Sequence, residues 1–433
     1  MEYIFLALFC VSLFVCVLLD VSVIYALLAG LVIFSVYALI KGYSVKNVID
    51  FSVTGVKTVK NILITFILIG MLTALWRDSG TIPVIVCYAS RLITPPVFLL
   101  MTFLLNCLIS VLTGTAFGTA ATMGVICSTM GGALGIAPFF TGGAVLSGAF
   151  FGDRCSPVST SALLTATLTK TDIFDNIKKM LKTAAIPFLL TSVIYTLTGI
   201  KLKTQGEIAD LNAVFGAEFS LSLLCIIPAV ILLILAICRV NVKITMAVSI
   251  VSSVPISIFV QHTPLKLIPK LLLTGFTAEN GEVAAMLNGG GIKSMLRVSA
   301  IVLIASAFSG IFQKTGMLDS IKANIKKLSS ATTPFAAILV TSVLTGLIAC
   351  NQSLTIMLTN QLTEDCETDK SRLAIALEDT AVVIAPLVPW SIAGAVPLNS
   401  VSAPLSAIAF ACFLYILPMC GLIKSVYKKI KRC

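Results

Sequence analysis

Apolar windows of membrane-crossing length recur along this chain, and two of the stretches between them set acid beside proline. About 17–25 apolar residues suffice to cross the hydrocarbon core of a bilayer. Such windows, some slightly short of that range, fall at 3–19, 21–40, 61–76, 97–112, 183–199, 219–238, 244–260, 298–313, 333–349 and 402–423. Of 433 residues, 58% are hydrophobic and 11% charged, and the mean hydropathy is +1.05, too little charge to cover a soluble surface of this size. Lipid offers the backbone no hydrogen-bond partners, so each window must be helical. The expected fold class is an all-α polytopic membrane protein with about ten full crossings. Segments 113–134, 136–169, 350–362 and 373–399, rich in small polar residues or broken by proline, read as re-entrant or discontinuous helices.

The net charge of +11 does not require a nucleic-acid partner. The basic residues cluster at window ends, where an anionic leaflet accounts for them. Lys41, Lys46, Lys57 and Lys60 mark one cytoplasmic loop; Lys170, Lys178, Lys179 and Lys182 mark another. Lys424, Lys428, Lys429, Lys431 and Arg432 place the C-terminus inside, and the same counting puts the N-terminus there. The stretches 201–218 (Glu207, Asp210, Glu218) and 363–369 (Glu364, Asp365, Glu367, Asp369) read as outside loops. Asp20 and the Arg77-Asp78 pair read as solvated turns at window ends, and His262 as interfacial. Met1-Glu2 lacks the positive start of a cleavable signal. The thirteen cysteines lie mostly within apolar runs with no CxxC spacing, as free thiols do, and a single histidine argues against a metal cluster.

With that orientation, windows 61–76 and 298–313 run in opposite directions, as do 97–112 and 333–349. Each is followed by a polar string, Thr113 to Thr119 in one half and Asn351-Gln352-Ser353 in the other, and then by an acidic, proline-containing string. Similar halves of opposite orientation form an inverted-topology repeat, which places a transport site at the midplane where broken helices meet. The chain divides accordingly into 1–60, an N-terminal helix pair and loop; 61–200, the first repeat; 201–297, connecting helices; and 298–433, the second repeat and basic tail.

The acidic strings are Gly152-Asp153-Arg154-Cys155-Ser156-Pro157 and Glu378-Asp379-Thr380, the latter running on to Pro386 and Pro389-Trp390. A carboxylate at membrane depth costs about 2.5–3.5 kcal/mol on insertion scales and persists chiefly where it has a task. Proline beside it breaks the helix and frees backbone carbonyls to line a cavity. Na+ is a hard cation that prefers oxygen ligands. The site residues expected from this pattern are Asp153 and Asp379 as direct cation ligands, with Ser156, Ser159, Thr160, Thr113, Thr115, Thr119, Asn351, Gln352, Ser353, Glu378 and Thr380 as further ion or substrate contacts. Pro157, Pro386 and Pro389 are the helix breaks. By layout Asp379 answers Asp153. Adjacent residues on a helix point about 100° apart, so one of Glu378 and Asp379 faces the cavity while the other pairs with a base or caps the break. A desolvated carboxyl binds either Na+ or H+, and that competition is enough for exchange. Arg154 would suit an anionic substrate, or would simply pair with Asp153. Trp390 reads as a packing anchor rather than a cavity wall.

At these residues the chain resembles the NhaC family of Na+/H+ antiporters, over nearly its whole length. The resemblance is carried by Ile69-Gly70, Trp76, the string from Ser79 to Pro83, the polar stretch from Thr113 to Gly124, the run from Ser147 to Asp153 into Ser156-Pro157, the stretch from Gly289 to Met295, and the string from Leu377 to Trp390. It implies a helical secondary antiporter with contacts around Asp153, Ser156, Glu378 and Asp379. The family usually continues its Ser-Pro string with Ser-Asp-Thr-Thr, whereas this chain has Ser159-Thr160-Ser161, with Thr160 in place of the acid. Family members also exchange organic acids, so an organic-acid or amino-acid antiporter is the alternative to Na+/H+ exchange. An intramembrane aspartyl protease using two Asp residues is a remote one, because the Gly-x-Gly lead-in is missing and the repeat would have no role. A passive channel would have no need of paired broken helices. No P-loop occurs, so ion gradients rather than ATP are the expected drive. The chain is therefore expected in the cytoplasmic membrane as a transporter rather than an enzyme. Its partners are the lipid bilayer and a small cation or organic substrate, with no cofactor and no nucleic acid; a homodimer is left open.

Overall fold

The computed structural model describes the chain except residues 1, 20, 91–93, 158, 203–210, 239, 318, 350 and 432–433. Expectations for Asp20, Glu207, Asp210 and Arg432 lie outside the described residues. The described chain is helical, with one isolated β-bridge between Phe276 and Gly289. Among the described residues, three helices are long and apolar enough to cross a membrane: Pro95–Thr113, Ile173–Lys201 and Val242–Phe259. Two bent pairs bring that number to five: Val45–Lys57 with Ile62–Asp78 at 45°, and Lys370–Leu387 with Ile392–Ser400 at 59°. Shorter apolar helices occupy Ile4–Leu13, Ile24–Ile40, Leu223–Ile237, Ser299–Phe312 and Pro334–Ala349.

Window 402–423 is interrupted. Leu405–Phe410 forms a 3-10 turn after Pro404, and the α-helix Cys412–Ile430 begins only after Ala411. The Tyr195 hydroxyl satisfies both sides of the gap, donating to the Phe410 carbonyl at 2.9 Å and accepting from the Cys412 N–H at 3.3 Å. The Arg77-Asp78 pair also departs from the expected solvated turn. Arg77 is 5% exposed and Asp78 8%. The Asp78 carboxylate accepts from Thr263 at 3.2 Å, and Arg77 donates to the Thr73 carbonyl at 3.1 Å, so the segment after the Val242–Phe259 helix covers this end. His262 itself is exposed, in the left-handed conformation (φ 56°).

Two helical hairpins place the site. Helix Pro95–Thr113 turns at Gly114, whose φ of 65° favours glycine, and returns as a helical run from Ala116 to Ala133 with a π-helical turn at Ala120–Gly124. Helix Pro334–Ala349 turns and returns as Gln352–Thr363. Each returning helix starts from an extended capping residue whose side chain accepts an N–H three residues on, Thr115 from Gly118 and Asn351 from Leu354. The 29-residue helix Ile173–Lys201, about 44 Å long at 1.5 Å per residue, shows how the hairpins lie. Gly199, near its C-terminal end, is packed so closely on the first hairpin that an added Cβ would meet the Pro96 carbonyl oxygen at 2.2 Å. Near its other end Lys179 donates to Ser371 at 2.6 Å, just beyond the second hairpin. The hairpins therefore open toward opposite ends of this helix. The acidic stretch 363–369, expected across the membrane from Lys170 to Lys182, lies at their end instead. Acidic residues weigh little in membrane orientation, and the return of Gln352–Thr363 carries them back.

The two helix breaks share a local geometry. Helix Pro138–Cys155 stops at extended Ser156, and Thr160–Thr169 resumes from a Ser159 cap. In the second half the chain breaks at extended Val388 and resumes at Ile392 from a Ser391 cap. In each break the serine N–H reaches back across a proline to the residue three before it, Ser159 to Ser156 at 3.2 Å and Ser391 to Val388 at 2.9 Å. Counted from these turns, Ala385, three before Val388, holds the place that Asp153 holds before Ser156, and Asp379 lies six residues further back. Gly148 and Gly152 let the Pro138 helix press on the Pro95 helix: an added Cβ would come within 2.6 Å of the Phe103 oxygen and 2.4 Å of the Val111 nitrogen.

Candidate functional site

A cavity of about 600 Å³ lies where the hairpin tips meet the first break. The first tip contributes Thr113, Gly114 and Thr115, and the second Asn351, Gln352 and Ser353. The break supplies Asp153, Pro157 and Thr160, and the start of helix Val242–Phe259 supplies Asn241 and Lys243. Asp153 and Lys243 are the ionisable side chains of this wall.

Asp153 is 3% exposed and well supplied with donors. Its carboxylate accepts from the Ser159 hydroxyl, the Ser161 hydroxyl and the Gln352 amide, each at 3.0 Å. The Gln352 amide also donates to the Val382 carbonyl at 3.3 Å, so groups from both halves converge on one acid. The proline turn makes this arrangement: it folds Ser159 and Ser161 back over the end of the helix that carries Asp153. Ser159 serves twice, capping the N–H groups of Ser161 and Ala162 while donating its own proton to Asp153. A carboxylate with two hydroxyl oxygens beside it is a donor set suited to a hard cation. Among the described residues no group of three or more His, Cys, Asp and Glu could hold a metal, so a cation here depends on one carboxylate and neutral oxygens. The described cysteines are free thiols.

Arg154 points away from Asp153, as consecutive helical residues must. It is fully buried and hydrogen-bonds Asp379, the Thr183 hydroxyl (2.7 Å) and the Met180 carbonyl (3.1 Å). Thr183 donates to Asp379 as well, at 3.1 Å. Two expectations are corrected here. Asp379 is not presented to the cavity as a cation ligand, because the guanidinium and a hydroxyl take up its carboxylate. Arg154 neither pairs with Asp153 nor waits for an anionic substrate. Lys243 is the basic group of the cavity wall, missed because its sequence position matches any basic residue flanking an apolar window.

The other expected residues divide between wall and frame. Thr113, Thr115, Thr160, Asn351, Gln352, Ser353 and Pro157 line the cavity. Thr119 stands behind Thr113, their hydroxyls 3.2 Å apart. Ser156 braces the break by donating to the Val111 carbonyl at 2.7 Å. Thr380 accepts from Ser342 at 2.9 Å and donates to the Ala376 carbonyl at 2.7 Å, sealing its own helix break. Pro386 and Pro389 shape the second break without lining the cavity, and Trp390 anchors it by donating to the Leu347 carbonyl at 2.9 Å. Glu378 is fully buried away from the cavity. Ser161 was missed, although its place two residues after a capping serine follows from Pro157.

The family model described as the Na+/H+ antiporter family matches residues 2–200 and 151–427. The Na(+)/H(+) antiporter NhaC of Alkalihalophilus pseudofirmus is 30% identical over 362 residues, covering 81% of this chain and 78% of that protein. NhaC of Bacillus subtilis is 29% identical over 439 residues, covering 98% and 97%. The malate-2H(+)/Na(+)-lactate antiporter of Bacillus subtilis is 28% identical over 389 residues, covering 87% and 82%. With its matched segments spanning nearly all of the sequence, including both helix breaks and both hairpin tips, this chain belongs to the Na+/H+ antiporter family.

Proposed function

We propose that this chain is a secondary antiporter that exchanges Na+ for H+ across the cytoplasmic membrane by alternating access. The observation that carries the reading is Asp153, a buried carboxylate in the wall of a cavity where two oppositely directed hairpin tips meet. Na+ binds the Asp153 oxygens, with Ser159 and Ser161 turning their lone pairs toward it; a proton takes the same oxygens when Na+ leaves. The opposed hairpins and the matching proline turns support an inverted-topology repeat, whose halves rock about this midplane site. Apart from the two hairpins, which turn back at the cavity, the apolar helices support a multi-crossing membrane protein, and the basic tail supports a cytoplasmic C-terminus.

Reconstituted into vesicles, the protein should take up Na+ under an imposed pH gradient. Asp153→Asn should lower that uptake at least about tenfold, since it removes the charge for which Na+ and H+ compete. Wild-type exchange rates in D153N would overturn the role of Asp153. A second reading, exchange of a small organic acid or amino acid, is favoured by the volume of the cavity and by Lys243 at the start of an 18-residue helix, a positive end suited to a carboxylate. It is separated by asking whether Na+ alone dissipates the gradient or an added carboxylate is required.

A further inference from the structure

Glu378 is the least satisfied polar side chain described in this fold. It is 0% exposed, and neither carboxyl oxygen has a hydrogen-bond partner. An ionised carboxylate buried without donors is among the costliest groups a protein can hold. Glu378 therefore carries its proton in this state, and a protein that needed only packing there would have no use for an acid.

Its surroundings provide for the proton to leave. Arg154, hydrogen-bonded to Asp379, keeps its Nε–H without a partner and acts electrostatically on Glu378. A positive charge that carries an unpartnered donor is thus within electrostatic reach of Glu378. The Thr165 hydroxyl is also buried and is a side-chain donor within reach of Glu378, with no partner at full hydrogen-bond geometry. Thr165 is one helical turn beyond Ser161, on the same face of helix Thr160–Thr169, and Ser161 is bonded to Asp153. Two buried hydroxyls accordingly span the interval between the cavity acid and the unpartnered one.

The charged and titratable groups around Glu378 are few. Asp153, Arg154 and Cys155 act on it from the Pro138 helix, and Asp379 from its own. Lys424, on helix Cys412–Ile430, acts on Asp379. Toward this end Ile173–Lys201 offers Thr183 and the Met180 carbonyl, both engaged by Arg154. The packed helices Thr160–Thr169, Pro334–Ala349, Gln352–Thr363 and Ala381–Ile384 contain no ionisable residue. The Arg154–Asp379 pair is neutral by itself, which leaves Asp153 and Glu378 as acids without a fixed counter-charge.

We infer that Glu378 is a second proton-carrying residue, separate from the cation site at Asp153 and linked to it through Ser161 and Thr165. The inference rests on the antiport reading of the cavity. When Na+ settles on Asp153, the proton there is released, and Glu378 yields its own while the Arg154 Nε–H takes up the carboxylate. When Na+ leaves, both acids take protons again.

The test counts protons. Purified wild-type protein titrated with NaCl near neutral pH, in weak buffer with a pH-sensitive dye, should release about two H+ per Na+ bound; Asp153 alone would give about one. Glu378→Gln should release about one H+ fewer, and in vesicles should keep Na+/Na+ exchange within about threefold of wild type, because the cation site is intact. Glu378→Asp should restore the second proton. Release of one H+ by the wild type overturns the inference without any variant. It is equally overturned by an E378Q protein releasing as many H+ as wild type, or by a monodisperse E378Q protein unable to exchange Na+ for Na+. A wild-type protein that shows no Na+-dependent exchange sinks the antiport reading instead.

Discussion

Arg154 acts on two acids, Asp379 and Glu378, and hydrogen-bonds only the first. A buried pair of this kind contributes little net stability, yet breaking it strands a charge, at a cost of about 3–5 kcal/mol. Arg154→Met should therefore lower the unfolding midpoint in detergent micelles far more than the double variant R154M/D379L, in which no charge is stranded. Equal midpoints for the two variants would show that Arg154 acts through packing alone. These residues also mark what could be read in the sequence. Asp153 and Gln352 were legible because proline beside an intramembrane acid and a polar string at a helix turn are local signals. The partner of Asp379 was not, since the choice between Glu378 and Asp379 depends on where Arg154 and Thr183, both far away in sequence, are brought by packing.

At the scale of elements, the end of the Pro138 helix that carries Asp153 is held by how closely it lies on the Pro95 helix. Gly152 makes that approach, and any side chain there must displace the Val111 backbone. Gly152→Val is expected to destabilise by about 1–3 kcal/mol or more and to depress transport by moving the neighbouring Asp153. Gly132, on the returning helix of the first hairpin, has open space around it; there Gly132→Ala should be neutral or stabilising by about 0.5–1 kcal/mol. Thermal unfolding of the two variants checks the contrast, and similar losses at both positions would count against the close approach. Helix existence was legible because lipid forces every apolar window to be helical. Helix boundaries were less so: Pro404 marks a break in 402–423, but the Tyr195 hydroxyl that satisfies the gap before Cys412 lies far away in sequence, and no local pattern could announce it.

For the whole molecule, the decisive feature is that the hairpins enter from opposite ends of Ile173–Lys201 and meet at one cavity. This requires the acidic stretch 363–369 to lie on the same side as the Lys170–Lys182 loop, against the simple reading in which basic loops are inside and acidic ones outside. The Lys179–Ser371 hydrogen bond already joins the two segments, and acids carry little weight in membrane orientation. In a cysteine-free background, cysteines introduced at Lys178 and at Glu364 should both react with a membrane-impermeant maleimide in inside-out vesicles and be protected in right-side-out ones. A cysteine at Thr94, by the open end of the first hairpin, should show the reverse. If position 364 reacted from the same side as position 94, both hairpins would enter from one face, Asp153 would lose its place between two opposed tips, and alternating access at this cavity would have no structural basis.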